Sequence, residues 1–373
     1  MCLIPDSWRG FGDLNQFYAV GGLNGWPFIN YWVEFPPIFA FINSLTFRLV
    51  SGNPFLFDLV QCLIFGLAGA AGLFVFRRLA NMLWGGSSSD RRVLIYFALI
   101  LPLPYTWWYM ELLPVFLMLL AIYACLRSQP AFSTGLTIGI GALVKWFPSI
   151  ILPAVLRYLP RKQALKVMII AVVLIVLVFG GFYLISPDMT RASLISQPSR
   201  SSWETAWALI DGNFHTGEFI LLSDRFNPAY AGIARDQPAR IPPLLKLVVF
   251  AGAGLWVYWK AAVSGNDLAF LGLIGVTWII FLLWSPGWSP QWILYLLPLI
   301  LLTLPERQGL WLCLALIFIT LLEWPTFLKH NIWEGLYIIV PLRIGVFIVL
   351  LWKWIRQARG LDNNTQQYHP TQS

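Results

Sequence analysis

Apolar runs of about 15–25 residues recur along most of the sequence, and they constrain the fold more than any other feature. A run of this length forms a helix that crosses a hydrocarbon core of roughly 30 Å. No run shows the apolar–polar alternation of a membrane β-barrel strand. The chain is 58% hydrophobic and only 11% charged, which is far from the usual composition of soluble domains. The sequence therefore predicts an all-α, polytopic membrane protein.

The apolar runs predict about eleven crossings. Residues 38–54 are short and contain Arg48, so they predict a helix that lies in the interface. Lys145 lies near the turn of a broken helix pair, because Pro148 and Pro153 interrupt the helix after it. The predicted spans cover residues 55–76, 93–107, 110–126, 132–147, 148–158, 166–185, 243–260, 268–285, 291–304, 309–325 and 335–355.

The polar stretch G-G-S-S-S-D-R-R at residues 85–92 predicts a loop between the first two spans. Two longer polar segments lie outside the spans. Residues 1–54 precede the first span, and residues 187–242 separate the spans of 55–186 from those of 243–355. The 187–242 segment is too long and too rich in Trp, Asp and Arg to be a plain connector. We expect one integral membrane domain, in which residues 356–373 form a polar cytoplasmic tail.

The distribution of charge predicts the orientation. Alternating spans place fourteen Lys and Arg residues with four acids on one side, and eleven bases with thirteen acids on the other. The basic clusters lie in short loops at span ends, where the positive-inside rule applies, so the basic side is predicted to be cytoplasmic. Topology explains the net charge of +8, and no nucleic-acid partner is expected. The four cysteines have no metal-ligand spacing and are expected to pack as small hydrophobes.

The opening stretch from Gly12 to Pro37 carries two acids on the predicted outer face. Asp13, close to Tyr18, is a candidate general base for a hydroxyl nucleophile, although an Asp here also suits the cap of a short interfacial helix. Glu34, in W-V-E-F-P-P, would orient a sugar hydroxyl or only solvate the turn before two prolines.

A lysine inside an apolar run is energetically expensive and is usually functional. Near an outer turn, Lys145 would hold a phosphate as a point charge. The alternative is that its side chain reaches the interface and serves no chemistry.

The 199–219 segment mixes charged and aromatic side chains, which are Arg200, Trp203, Glu204, Trp207, Asp211 and His215. Aromatic faces stack on sugar rings, and arginine pairs with phosphate. Arg225, in S-D-R-F, is a second phosphate candidate. The alternative is a solvated loop with a short amphipathic helix, in which His215 is structural.

The W-S-P-G-W-S-P-Q-W turn at residues 284–292 contains two Ser-Pro pairs between predicted spans. The prolines break the helices and present Gln291 outward. This turn is a candidate substrate contact, or else an ordinary turn in an aromatic belt.

Four of these motifs, taken in order, resemble the GT-C glycosyltransferases, which are polytopic enzymes that use polyprenyl-phosphate sugars. D-x4-Y at 13–18 and W-V-E-F-P-P resemble the first outer loop of that superfamily. G-A-L-V-K-W-F-P-S-I-I-L-P at 141–153 resembles its K-x-x-P-x-x-x-x-P element, and S-P-Q-W at 289–292 its S-P-Q-Y turn. The nearest branch is the bacterial mannosyltransferase-like group, glycosyltransferase family 87. The pattern is also similar to the mannosyltransferase of GPI-anchor assembly.

The resemblance implies a GT-C-like bundle that transfers a hexose, expected to be mannose, to a hydroxyl of a lipid or glycan acceptor. Asp13 would be the catalytic base of an inverting reaction on the outer face of a prokaryotic plasma membrane. The phosphate of the polyprenyl-linked donor would lie near Lys145 and near Arg200 or Arg225. The predicted substrate-binding residues are Tyr18, Glu34, Lys145, Arg200, Trp203, Glu204, Arg225 and Gln291. Besides donor and acceptor, the expected partners are membrane lipids.

The sequence departs from the family in two ways. The family places a membrane helix before its catalytic loop, so we expect either that such a helix lies upstream or that this chain begins outside. The family often has two adjacent acids where this chain has Asp13 alone. No cofactor is predicted and no metal-binding residue is assigned, and dependence on a divalent metal stays open.

Two further functions remain open at the level of sequence. A lipid or sugar transporter would be expected to show duplicated halves and polar residues at the midplane, whereas this chain shows no repeat and carries most of its charges at span ends. A non-catalytic scaffold would make no demand on Asp13.

Overall fold

The computed structural model describes residues 12–217, 220–234 and 236–361. These residues are helical and contain no strand, as the apolar runs predict. The α-helices in chain order are α1 (Leu14–Gly21), α2 (Pro37–Leu49), α3 (Pro54–Trp84), α4 (Gly86–Ile100), α5 (Pro104–Trp107), α6 (Leu112–Leu126), α7 (Ala131–Val144), α8 (Leu152–Tyr158), α9 (Arg161–Ile185), α10 (Pro187–Ser196), α11 (Ala206–Asp211), α12 (Pro243–Lys260), α13 (Asp267–Trp284), α14 (Ile293–Thr303), α15 (Glu306–Leu321) and α16 (Leu336–Ala358).

Five helical stretches within the described residues are long and apolar enough to cross a membrane, and others are shorter than a full crossing. The five are Pro54–Trp84, Arg161–Ile185, Asp267–Trp284, Glu306–His330 and Trp333–Ala358. The shorter apolar helices are Pro37–Leu49, Leu112–Leu126, Ala131–Val144, Phe147–Tyr158 and Pro290–Thr303. These helices indicate an integral membrane protein with several crossings.

Some predicted boundaries differ from the structure. The polar loop predicted at 85–92 is wrong, because α4 begins at Gly86 and only Gly85 separates it from α3. The predicted large loop at 187–242 contains helices α10 and α11. Most of the predicted tail, residues 362–373, lies outside the described residues, as do residues 1–11 of the opening segment.

Helix α14 forms the centre of the bundle. All eleven of its residues, Ile293–Thr303, are buried. Helices α13 and α16 pack against each other so closely that a Cβ on Gly275 would lie 2.3 Å from the Trp354 indole. Trp354 also donates a hydrogen bond to Thr303 Oγ1 at 2.8 Å. A short, wholly buried helix thus carries the turn at its start, residues 285–292, into the interior.

The two ends of the bundle differ in chemistry. At one end, Arg77 pairs with Asp90 at 3.4 Å and Arg91 with Glu306 at 3.1 Å, and these contacts join α3, α4 and α15. The opening segment, the break after α7 and the 187–242 segment meet at the other end. That end is therefore assembled from segments that are far apart in the chain.

Hydrogen bonds from backbone amides of the opening segment fix it to the 187–242 segment. The Trp32 amide donates to the Arg225 carbonyl at 3.0 Å, and the Val33 amide donates to Ser193 Oγ at 3.1 Å. Trp32 is fully buried. The polar residues that precede the first long helix are thus held in place by a segment about 160–190 positions later.

Candidate functional site

A cavity of about 1020 Å³ opens between the four polar segments that the sequence analysis singled out. Asp13 and Glu34 come from the opening segment, and Lys145 from the break after α7. Arg200 and Gln291 come from the 187–242 segment and the 285–292 turn. Aromatic and aliphatic side chains of residues 146–150, α10 and α13 form much of the remaining wall. We call this space the larger cavity.

A second cavity of about 380 Å³ adjoins the larger one and is lined mainly by polar side chains and backbone. Glu204, Tyr109 and Gln16 belong to this smaller cavity. Four residues line both cavities, and they are Asp13, Gly217, Ser289 and Gln291. Asp13 therefore lies at the boundary between a large, partly apolar space and a small polar one.

Local backbone geometry places Asp13 at this boundary. Gly12 has φ of +119°, and a Cβ there would lie 2.8 Å from the Trp108 Cβ, so only glycine fits. Asp13 then precedes α1, but its carboxylate does not cap the helix. Burial and the Glu111 carboxylate raise the pKa of Asp13 to about 7, although Lys145 and Arg200 act in the opposite direction. Within the described residues, no side chain or backbone group hydrogen-bonds the Asp13 carboxylate.

Lys145 is held by an acid that the sequence analysis missed. Its backbone is extended, with φ of −156°, where α7 ends. Its Nζ donates to Glu111 Oε1 at 2.6 Å, and the Tyr295 hydroxyl donates to Glu111 Oε2 at 3.2 Å. Glu111 is 1% exposed. The ammonium group of Lys145 therefore enters the cavity wall already paired with a buried carboxylate.

Arg200 lines the larger cavity, and its guanidinium has unused hydrogen-bond donors. Its Nη2 lies 3.5 Å from Glu34 Oε1, and its guanidinium lies 5.8 Å from the centre of the Trp203 ring. No group in the described residues accepts a hydrogen bond from its guanidinium. An arginine with free donors has the planar fork that matches a phosphate.

Glu34 and Arg225 form a buried ion pair. Arg225 Nη1 donates to Glu34 Oε2, and Nη2 donates to Oε1 at 2.9 Å. Burial raises the pKa of Glu34, but the charge and hydrogen bonds of Arg225 outweigh it and lower the pKa to about 2. Arg225 is 0% exposed and lines neither cavity. Arg225, which was predicted to contact a phosphate, instead pairs with Glu34 inside the protein. Glu34 itself still lines the larger cavity.

Glu204 adopts a strained conformation in the wall of the smaller cavity. Its φ is +54°, a left-handed value that costs a non-glycine residue about 1–2 kcal/mol. Its side chain is 3% exposed, and its Oε2 has no hydrogen-bond partner within the described residues. Burial and the Glu323 carboxylate raise the pKa of Glu204 well above its usual range, more than Arg343 lowers it.

The strain at Glu204 is maintained by contacts on both sides of the residue. Trp203 N donates to the Pro286 carbonyl at 3.1 Å, and Trp288 N donates to the Trp203 carbonyl at 3.2 Å. The Glu204 carbonyl accepts a hydrogen bond from Arg343 Nη2. Several interactions thus determine one backbone conformation, which is the setting in which strain persists at functional sites.

A buried charge network lies behind this wall. Glu323 is 0% exposed and accepts hydrogen bonds from Arg343 Nη1 and, at 3.0 Å, from Trp288 Nε1. Arg343 itself is 2% exposed. Neither Glu323 nor Arg343 was predicted from the sequence, although a charged residue inside an apolar run is the signal that identifies both.

The remaining predicted residues differ in their positions. Trp203 lines the larger cavity, and Gln291 lines both cavities. Tyr18 lines neither, because its hydroxyl donates to the Gly52 carbonyl at 2.6 Å. His215 lines neither cavity, and its Nε2 lies 3.2 Å from Asp236 Oδ2. The structure thus separates Tyr18, Arg225 and His215 from the cavity walls.

No group of three or more His, Cys, Asp or Glu side chains within the described residues has the arrangement of a metal site. The polar groups of the two cavities instead consist of carboxylates, amides, hydroxyls and cations. No protein-family model matches the chain, and searches of curated proteins and of solved structures give no significant match.

Proposed function

We propose that this chain is a membrane glycosyltransferase of the GT-C type. It transfers a hexose, expected to be mannose, from a polyprenyl-phosphate sugar to a hydroxyl of a lipid or glycan acceptor. The donor occupies the larger cavity and the acceptor hydroxyl reaches Asp13 from the smaller one.

The observation that carries the proposal is the position of Asp13 at the boundary of the two cavities. A base that serves two substrates must be reached by both of them. The carboxylate has no hydrogen bond to a described residue, and its pKa of about 7 suits a general base near neutral pH.

The chemistry follows an inverting displacement. The acceptor oxygen attacks the anomeric carbon, and its proton moves to the Asp13 carboxylate. The bond between the anomeric carbon and the phosphate oxygen breaks on the opposite face, and the electron pair leaves with the polyprenyl phosphate. Arg200 and Lys145 supply positive charge where this negative charge develops.

Cavity size supports the assignment of the two substrates. Ligand pockets for small molecules commonly have volumes of about 300–1,000 Å³. The smaller cavity, at about 380 Å³, suits a polar group of one or two sugar rings. The larger cavity, at about 1020 Å³, has room for a sugar phosphate and the first part of an apolar chain.

The proposal includes a topology of about eleven crossings, in which short helices complete the bundle formed by the five long ones. The short helices α6, α7 and α14 are largely buried by their neighbours, so they do not need the length of a lipid-exposed span. The basic end is cytoplasmic under the positive-inside rule, and the cavities then face outward.

Sugar transfer in membranes tests the proposal. Radiolabelled polyprenyl-phosphate mannose and glucose are supplied to membranes with wild type, Asp13→Asn or Asp188→Asn. Asp188 is a matched control because it is exposed, belongs to the same end of the molecule and lines neither cavity. We expect Asp13→Asn to lower transfer by about 100-fold or more and Asp188→Asn to leave it unchanged.

Two results would overturn the proposal. One is full transfer by the Asp13→Asn protein, which would remove the base. The other is an absence of transfer from every donor, with lipid-linked sugar appearing in the opposite leaflet instead. That second result would identify a lipid or sugar transporter.

A further inference from the structure

Helix α12 contributes Pro243 and Lys246 to the wall of the larger cavity and buries few of its side chains. Of its eighteen residues, only Lys246 and Val257 are buried. Its other leucines and valines are exposed, and Leu244 is 71% exposed. The helix therefore turns most of its apolar side chains outward and turns Lys246 toward the protein interior.

Lys246 lines the larger cavity and has no acidic partner. Its side chain is 7% exposed, and its Nζ lies 4.8 Å from the centre of the Trp207 ring. No carboxylate of the described residues lies within 4.0 Å of it. Asp211 acts on it only at longer range. The two Asp211 oxygens accept hydrogen bonds from Ser202 Oγ at 2.7 Å and from the Arg240 amide at 2.8 Å.

The other two cations of the larger cavity differ from Lys246 in this respect. Lys145 forms a 2.6 Å ion pair with Glu111, and Arg200 lies 3.5 Å from Glu34. The Lys246 ammonium group faces the cavity, forms no ion pair within the described residues and has only the longer-range charge of Asp211 to offset its desolvation. Its burial becomes favourable when a ligand brings the missing negative charge.

We propose that Lys246 binds an anionic group of an amphiphilic ligand in the larger cavity. The wall around it includes Phe281, Trp284 and Pro243, which would contact an apolar chain. A lipid with a phosphate headgroup combines both features. Lys246 is then a binding residue that attracts the headgroup, separate from the cations that lie next to Asp13.

This inference deepens the proposed function but is tested independently of it. The charges that act on Asp13 are those of Glu111, Lys145, Arg200 and Glu34, and Lys246 is not among them. Lys246 therefore belongs to a second position in the cavity, which a headgroup occupies on entry or throughout binding. Equilibrium binding without any sugar transfer reports on this position directly.

The experiment uses the full chain in detergent or nanodiscs and three probes. These are a radiolabelled short-chain polyprenyl monophosphate, the polyprenol of the same length, and inorganic phosphate. Lys246→Met, Lys246→Arg and Lys260→Met are compared with wild type. Lys260 is the matched control, because it ends the same helix and is exposed.

We expect Lys246→Met to weaken binding of the polyprenyl monophosphate by about 10-fold or more, since a hydrogen bond to a charged group is lost. Lys246→Arg retains most of the affinity, and Lys260→Met behaves as wild type. Polyprenol binds equally to all four proteins. The melting temperature of Lys246→Met is at or above that of wild type, because an unpaired buried charge is removed.

Three results would overturn the inference. Unchanged binding of the lipid phosphate by Lys246→Met would remove the residue from the site. An equal loss of polyprenol binding, together with a lower melting temperature, would identify Lys246 as structural. Inorganic phosphate that binds as tightly as the lipid phosphate would show that the site takes a free anion. If lipid binding depends on Lys246 but no donor supports transfer, the transferase proposal fails while this one stands.

Discussion

At the scale of single residues, Asp13 is a carboxyl group that is only partly ionised at neutral pH. Burial raises its pKa first and Glu111 second, to about 7 in total. A base must be ionised to accept a proton, yet it must also hold the proton well. A pKa near the working pH satisfies both requirements.

The pH dependence of transfer follows from this pKa. We expect kcat/KM to fall as the pH drops below about 7, because the base becomes protonated, and to level off above it. Glu111→Gln removes a negative charge near Asp13, which lowers the Asp13 pKa and moves the acid limb to lower pH. A pH–rate profile of both proteins measures the shift.

Glu334→Gln is the control for this shift, because Glu334 is exposed and lines neither cavity. Its acid limb is expected to coincide with that of wild type. An acid limb that stays in place in Glu111→Gln, or moves to higher pH, would show that Asp13 does not set the profile.

The sequence predicted candidate residues at this scale more readily than it predicted their partners. Asp13, Lys145 and Arg200 were identifiable because each charge lies beside aromatic or apolar residues at a predicted outer turn. The pairing of Glu34 with Arg225 joins residues 191 positions apart, and no local pattern records such a distance. Glu111 stood at the start of an apolar run and was read as part of a span.

At the scale of elements, the 285–289 turn is held against residues 203–205. Trp203 and Gly287 form a bridge, and a Cβ on Gly287 would lie 2.1 Å from the Trp203 ring. Thr205 Oγ1 also donates to the Pro286 carbonyl at 2.9 Å. This contact fixes the position of Ser289 and Gln291, which line both cavities.

Gly287→Ala tests whether that contact shapes the site. The added methyl group forces Trp203 to move, and overpacking of this kind typically costs about 1–3 kcal/mol. We expect a lower melting temperature and reduced transfer, measured by thermal unfolding in detergent and by the membrane assay.

Gly345→Ala is the matched control, since no atom outside its own helix lies within 4 Å of a Cβ there. Alanine also has a higher helix propensity than glycine, so this variant is expected to be at least as stable as wild type. Equal stability and transfer of Gly287→Ala and Gly345→Ala would show that the site does not depend on the Trp203 contact.

Proline and polarity made several elements predictable. Pro148 and Pro153 correctly indicated that the helix breaks near Lys145, and the apolar runs identified most helices. Polarity also misled, because Ser87 and Arg91 suggested a loop where α4 has already begun. Serines and charges at a helix end resemble those of a loop, and only the packing of α4 against α3 distinguishes the two.

At the scale of the whole molecule, the predicted alternation of spans separates a basic end from the end that holds both cavities. The ion pairs of Arg77 and Arg91 join helices at the basic end. Hydropathy could predict how many apolar segments exist. It could not predict which of them are short and buried by neighbours, because that depends on packing partners such as those of α14.

Labelling of single cysteines tests the orientation. In a variant without native cysteines, Ser223→Cys reports the cavity end and Ser87→Cys the basic end, and both serines are exposed. We expect a membrane-impermeant maleimide to label Ser223→Cys in intact cells. Ser87→Cys is expected to react only after permeabilisation. The reverse pattern would place the cavities in the cytoplasm.

Helix α12 buries few side chains against the rest of the protein, and this affects how fast ligands would exchange. A helix that buries only two side chains has few contacts to break when it moves, and its exposed apolar face would lie against acyl chains if α12 crosses the bilayer. A lipid-linked ligand would then enter sideways without leaving the membrane. Its arrival and departure would depend on the fluidity and thickness of the bilayer more than on diffusion through water.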